Sequence, residues 1–154
     1  MAKMFHDALV PFAERRIINM KKPRKRLIRE YKRGDVVNII NPRQQYDSGT
    51  HVLCGNCPAV IIQNKGGNKH SPLLIVALMT SKNKRMGMKT HVFIDKYKEL
   101  KPSSILAEQL VTIDKSTVRG YITHLKKEDI DRLNHALMFS LGMESGENSE
   151  IDVM

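Results

Sequence analysis

Through the middle of the chain the apolar residues come in short runs and not in helical stripes. "VVNII", Val36 to Ile40, is β-branched and stops at Asn41-Pro42, so it reads as a strand. "AVIIQ", Ala59 to Gln63, is a second, with Pro58 at its entry, where a missing N–H does least harm. "LLIVALM", Leu73 to Met79, is apolar at every position and reads as a buried third. Between them "NKGGNKHSP", Asn64 to Pro72, has the composition of a turn, which makes the second and third strands an antiparallel hairpin. "THVFI" (Thr90 to Ile94), "SILAEQLVTI" (Ser104 to Ile113) and a short "VRGYITHL" (Val118 to Leu125) continue the series. The period changes only at the end. Ile130, Leu133, Leu137, Met138 and Leu141 fall on one helical stripe. Glu128 and Asp129 suit its first turn, Gly142 suits its C-terminal cap, and no good N-cap residue stands at its start. The pattern predicts a mostly β domain with a C-terminal helix, in the form of a small antiparallel barrel without internal repeats.

The flanks differ from this body. Residues 1–32 read as a basic N-terminal extension, broken by Pro11 and Pro23, and the domain begins at Arg33-Gly34-Asp35. Residues 144–154 read as an acidic disordered tail, leaving 33–143 as the domain. A chain of 154 residues holds one ordinary core and is too short for two. With 41% apolar and 27% charged residues the composition is that of a water-soluble globular protein. The apolar run at Leu73 to Met79 is far shorter than the roughly 20 residues a membrane span needs. Asp7 and Glu14 interrupt any signal-peptide layout, so the expected location is the cytoplasm, with no membrane partner and with cysteines kept as thiols.

Charge sharpens the picture. The chain carries +10 overall, with eleven basic against three acidic residues in 1–33 and four acids without a base in 144–154. A basic body is the footprint of a polyanion binder, nucleic acid first among them. Pro11 and Pro23 argue against a continuous DNA-recognition helix in the basic arm, and binding of duplex DNA through it would need a steep salt dependence.

The only two cysteines form a C-x-x-C, Cys54 and Cys57. A zinc ion needs four ligands around one point. His51, Cys54 and Cys57 offer three, and His70 is separated from Cys57 by a whole strand, leaving only His91 as a fourth. No second metal-binding pair accompanies them, so no metal or other cofactor is expected. A redox role is weaker, because the motif enters a strand and not a helix N-terminus. The hairpin gives a positive result instead. The strand that leaves from Cys57 is answered by one that returns at Thr80, so Cys57, Thr80, Ser81 and the basic stretch Lys82, Lys84 and Arg85 share one end of the sheet. The long loop from Arg43 reaches the same end. This is a hydroxyl-lined, cationic hollow suited to a phosphate.

Six ordered blocks then resemble one family. "RGDVV" at 33–37, "PAVIIQN" at 58–64, "NKHSPLLIVALMTSK" at 68–82, "THVFI" at 90–94, "EQLVTIDKSTV" at 108–118 and "ALMFSLGM" at 136–143 are similar to the MazF/PemK toxins of type II toxin–antitoxin modules. The resemblance implies an SH3-like barrel, a homodimer, and metal-independent cleavage of single-stranded RNA at short sequences by attack of the 2′-hydroxyl on the adjacent phosphate. It also implies a cognate antitoxin that blocks the RNA site, with promoter DNA bound only through the toxin–antitoxin complex. By the same resemblance Thr80 is a catalytic hydroxyl, and Cys57 stands where the family carries an arginine credited with acid catalysis or phosphate stabilisation. A second frequent arginine is replaced by Val111. Arg43, His51, Ser81, Lys82, Lys84, Arg85 and Gln109 are the expected RNA contacts, and Glu108 and Gln109 alike fit contact with RNA, contact across the dimer or plain strand pairing. Asp114 reads as a turn residue and His70 as structural. The expectation is therefore an endoribonuclease, either weakened at Cys57 or taking its cation from elsewhere, with Arg43, Lys82 and the basic extension as the sources. The alternative is a degenerate member that binds RNA or antitoxin for regulation.

Overall fold

Each strand-like run of the sequence forms a strand in the computed structural model, which describes residues 29–41, 55–82 and 87–143. The elements are β1 (Asp35–Asn41), β2 (Gly55–Ile61), a short helix α1 (Lys65–His70), β3 (Leu73–Thr80), β4 (His91–Ile94), β5 (Ser103–Asp114), β6 (Val118–His124) and helix α2 (Lys127–Ser140). They build one six-stranded sheet in the order β4-β5-β3-β2-β1-β6, antiparallel at every pairing. Among the described residues the ladder stays open between the edge strands β4 and β6, so the barrel-like shape comes from bending and not from a closed ring of hydrogen bonds.

The bend has a local origin. Ala77 pairs with Leu110 and Met79 with Ile105, so two steps along β3 are matched by five along β5. A bulge of this kind kinks the strand and increases its twist. Both faces of the sheet are apolar. One carries Val60, Ala77, Met79, Ile105 and Ala107 against Leu133, Ala136 and Leu137 of α2. The other gathers Val37, Ile39, Ala59, Ile61, Val76, Leu78 and Val118, with Cys57 and Val111 at its margin.

The entry to the domain is fixed by Arg33-Gly34-Asp35. Asp35 is buried, with Oδ2 accepting from the Lys32 N–H at 2.9 Å and Oδ1 lying 2.8 Å from His124 Nδ1. Gly34 has φ +91°, and a Cβ there would sit 2.8 Å from Ile130 Cδ1, so α2 leaves room for glycine only.

One expectation needs correction. The stretch Asn64 to Pro72 is not a plain turn but contains α1, because Asn64 caps it by accepting from the Gly67 N–H at 2.8 Å. Gly66 and Gly67 conceal this from propensity. Gly67 serves a different purpose: a Cβ there would lie 2.3 Å from Gln63 Nε2. The Gln63 amide needs that space, since it donates to the Leu73 carbonyl at 3.3 Å and accepts from the Ile75 N–H at 2.9 Å, standing in for backbone at the turn end of the hairpin. Along the helical stripe Leu133 and Leu137 are buried with Ala136, while Met138 and Leu141 are 40% and 56% exposed in the single chain. Gly142, at φ +65°, follows the capping residue Leu141.

The weak N-terminus of α2 has a remote remedy. Lys126 caps it without a side-chain bond, and the Tyr97 hydroxyl accepts from the Lys126 N–H at 2.8 Å while donating to Asp129 at 2.6 Å. Burial, and then the bond to Asp129, push the Tyr97 phenol from 10.0 up to about 12. The phenol therefore stays protonated to higher pH in the folded chain than in the unfolded one. Its contribution to stability is complete below pH 10 and is lost as pH rises toward 12. Tyr97→Phe is expected to cost about 1–3 kcal/mol at neutral pH, the worth of two partly buried hydrogen bonds. It should also flatten the decline in the urea midpoint across that alkaline window.

Candidate functional site

The hairpin register settles what lies beside what. Ala59 pairs with Leu78, Val60 with Ala77 and Ile61 with Val76. The ladder ends at Ala59–Leu78, and Cys57 and Thr80 each lie two residues beyond that last pair, at the same end of the hairpin. Across the sheet Cys57 pairs with Ile39, Thr80 with Ser104, and Ser104 with Phe93. Directly opposed residues of antiparallel strands project on the same face. Phe93, Ser104, Thr80, Cys57 and Ile39 thus form one row over five strands, on the face opposite α2.

Thr80 is half-buried at the end of β3, and its Oγ1 accepts from the Lys82 N–H at 3.1 Å. That bond uses the oxygen as acceptor and leaves the hydroxyl proton to be donated, the role a phosphate oxygen requires. Ser81 and Lys82 follow at once and are exposed. Cys57 is half-buried near the start of β2, a thiol at the edge of an apolar cluster. Gln109 lies in the bulged part of β5, which brings it level with Leu78, about 7 Å along the sheet from Thr80. Arg43, His51, Cys54, Lys84 and Arg85 lie outside the described residues.

The remaining candidates take structural places. His70 ends α1, at the turn end of the hairpin, away from Thr80. Asp114 caps a single 3-10 turn at Lys115–Thr117, accepting from the Ser116 N–H at 2.7 Å, and the Ser116 hydroxyl, followed by that N–H, holds its carboxyl below the usual range. Val111 packs half-buried against the apolar cluster beside Cys57. His91 lies 2.7 Å from Glu108 through Nε2. Among the described residues no group of three or more His, Cys, Asp or Glu side chains could hold a metal ion. The sequence reading missed Ser104, a second hydroxyl, 6% exposed, beside Thr80. Its neighbourhood depends on the β5 bulge, which no residue type announces.

Residues 32–141 match the PemK-like, MazF-like toxins of type II toxin–antitoxin systems. The chain belongs to this family. A curated relative, endoribonuclease MazF of Staphylococcus saprophyticus subsp. saprophyticus, is 39% identical over 117 residues, which covers 74% of this chain and 93% of that protein. Among solved structures, MazF of Deinococcus radiodurans shares the fold with a TM-score of 0.62 at 18% identity, covering 75% of this chain and 99% of that one. An endoribonuclease from a mycobacterial species, solved with its cognate antitoxin, gives 0.60 at 22% identity, again covering 75% and 99%. The bulged six-stranded sheet with a C-terminal helix is thus a MazF-like fold. Among the described residues no helix is long and apolar enough to cross a membrane.

Proposed function

We propose that this chain is an endoribonuclease toxin that cuts single-stranded RNA without a metal and that works at reduced rate because Cys57 stands in the position of the family's arginine. The observation that supports the reading is the hairpin register: Ala59 pairs with Leu78, so Cys57 and Thr80 follow at the same end of the sheet, where Ser81 and Lys82 begin a basic stretch of sequence. The RNA 2′-hydroxyl gives its proton to water as it attacks the adjacent phosphorus, the bond to the 5′-oxygen breaks and that oxygen takes a proton from water, so that a 2′,3′-cyclic phosphate and a free 5′-hydroxyl result. Thr80 keeps its proton and donates a hydrogen bond to a non-bridging phosphate oxygen, and Lys82 supplies charge as the negative transition state develops. Arg43, Ser81, Lys84, Arg85, His51 and Gln109 complete the track for the strand. The assembly is a homodimer, blocked by a cognate antitoxin, which also brings the pair to promoter DNA. The working domain is 33–143, with 1–32 and 144–154 as a basic extension and an acidic tail.

A second reading, a degenerate member that binds RNA or antitoxin without cutting, draws on Cys57 and Val111, two positions where a cation is expected and none is present. The deciding measurement is incubation of the purified full chain with a long single-stranded RNA in excess chelator. Cleavage at discrete sites, with 3′ ends closed as cyclic phosphates, is expected. Tight binding with intact RNA would select the second reading.

A further inference from the structure

The chain enters the domain on the face that carries Cys57. The Asp35 N–H donates to the Lys32 carbonyl at 3.1 Å, closing a turn at Arg33-Gly34 that reverses the chain at the start of β1. Tyr31, just before this turn, packs half-buried against the apolar cluster that holds Val37 and Ile39 and has Cys57 at its margin. Two residues earlier the Arg29 guanidinium lies over the Tyr121 ring, 3.5 Å from its centroid. Tyr121 pairs with Val37, and Val37 with Ala59. Opposed residues share a face, so Tyr121 stands on the face of Ala59 and therefore of Cys57, two residues away on β2. The offset from Cys57 is two strand spacings across the sheet, about 10 Å, and about 7 Å along it.

This stack leaves a charge to spare. Arg29 is exposed and Tyr121 is 40% exposed. Among the described residues no carboxylate forms an ion pair with Arg29. Glu30 beside it in sequence is exposed, and Lys32 offsets its charge. Arg33 is committed elsewhere, with Nη2 donating to Asn134 of α2 at 2.7 Å. A guanidinium lying flat on a ring is held in place, yet its N–H groups project from the rim of the plane and suit a phosphate. We propose that Arg29, seated on Tyr121, is a phosphate contact for the RNA strand that occupies the Cys57–Thr80 end, so that part of the charge absent at position 57 comes from the chain's own basic extension. This rests on the RNA reading of that end. The offset from Cys57 makes Arg29 a binding residue and not a catalytic one, with Tyr121 as its positioning residue. A single strand can follow a bent sheet over so short a distance, whereas a duplex is stiff over roughly 150 base pairs.

The test uses the full chain and a fluorescently labelled, mixed-sequence 2′-O-methyl RNA dodecamer, which cannot attack its own phosphates. Arg29→Gln should weaken binding about tenfold, the worth of one charge-assisted contact. It should also reduce the salt slope by about 0.7, one phosphate on a single strand. Tyr121→Leu should weaken binding about threefold, because the guanidinium loses its platform, and should keep the salt slope, because the charge remains. Tyr121→Phe keeps the ring and should restore that loss. A stack that only anchors the extension would change thermal stability and not the salt slope, so each variant is also melted. Arg29→Gln with the affinity and salt slope of the parent overturns the proposal and leaves the RNA reading standing. So does Arg29→Gln that loses affinity for duplex DNA and none for the dodecamer. A parent chain that does not bind the dodecamer overturns the RNA reading itself and this proposal with it.

Discussion

Cys57→Arg is expected to raise the rate of RNA cleavage by about 10²–10³-fold, the usual worth of one preorganised donor aimed at developing charge. A thiol offers one weak donor and is mostly neutral at pH 7, whereas a guanidinium is permanently charged and presents five N–H groups in a fixed fork. The position can take the longer side chain. Cys57 is half-buried near the entry of β2, and Gly55 and Asn56 before it are exposed, so an arginine can lay its stem along the cluster margin and hold its head in water. Cys57→Gln is the necessary companion, because it adds length and neutral donors without charge. If the gain comes from charge, the glutamine variant stays near the parent. Growth arrest on induced expression should follow the cleavage rates. A parent that cuts RNA as fast as the arginine variant would remove the case for attenuation at Cys57.

Thr80→Val should lower cleavage by about 10²-fold or more while changing RNA affinity by less than about threefold. Valine matches the shape of threonine and keeps the β-branched fit to the end of β3, so the fold should survive. What disappears is the one hydroxyl whose acceptor side is already occupied by the Lys82 N–H. That N–H is exposed and turns to water, so little stability is lost. Thr80→Ser should restore much of the rate, which separates the chemistry of the hydroxyl from the packing of the methyl group. Equal loss of affinity and rate in Thr80→Val would instead make Thr80 a binding residue.

Much of this site was legible because a hairpin is a local object. β-branched runs marked β1, β2 and β3, and the Gly-rich connection told that β2 and β3 return on each other. From that alone Cys57 and Thr80 could be set at one end and His70 at the other. What stayed hidden depends on longer-range geometry. α1 was masked by Gly66 and Gly67, whose low helix propensity is offset by the Asn64 cap. Ser104 and Phe93 join the row only through the pairing of β5, whose excess residues at the bulge shift the register without breaking the apolar pattern. The remedy for the uncapped α2, the Tyr97 hydroxyl, comes from a residue 29 positions earlier than Lys126, and nothing in the local sequence points to it.

Gln63 bridges Leu73 and Ile75 at the end of the hairpin opposite to Thr80, so β2 and β3 are locked together by residues that take no part in the chemistry. Sequence drift at the reactive end is therefore cheap. On the reading that position 57 sets the cleavage rate, a single codon there would lower or restore activity without touching the residues that hold the hairpin together.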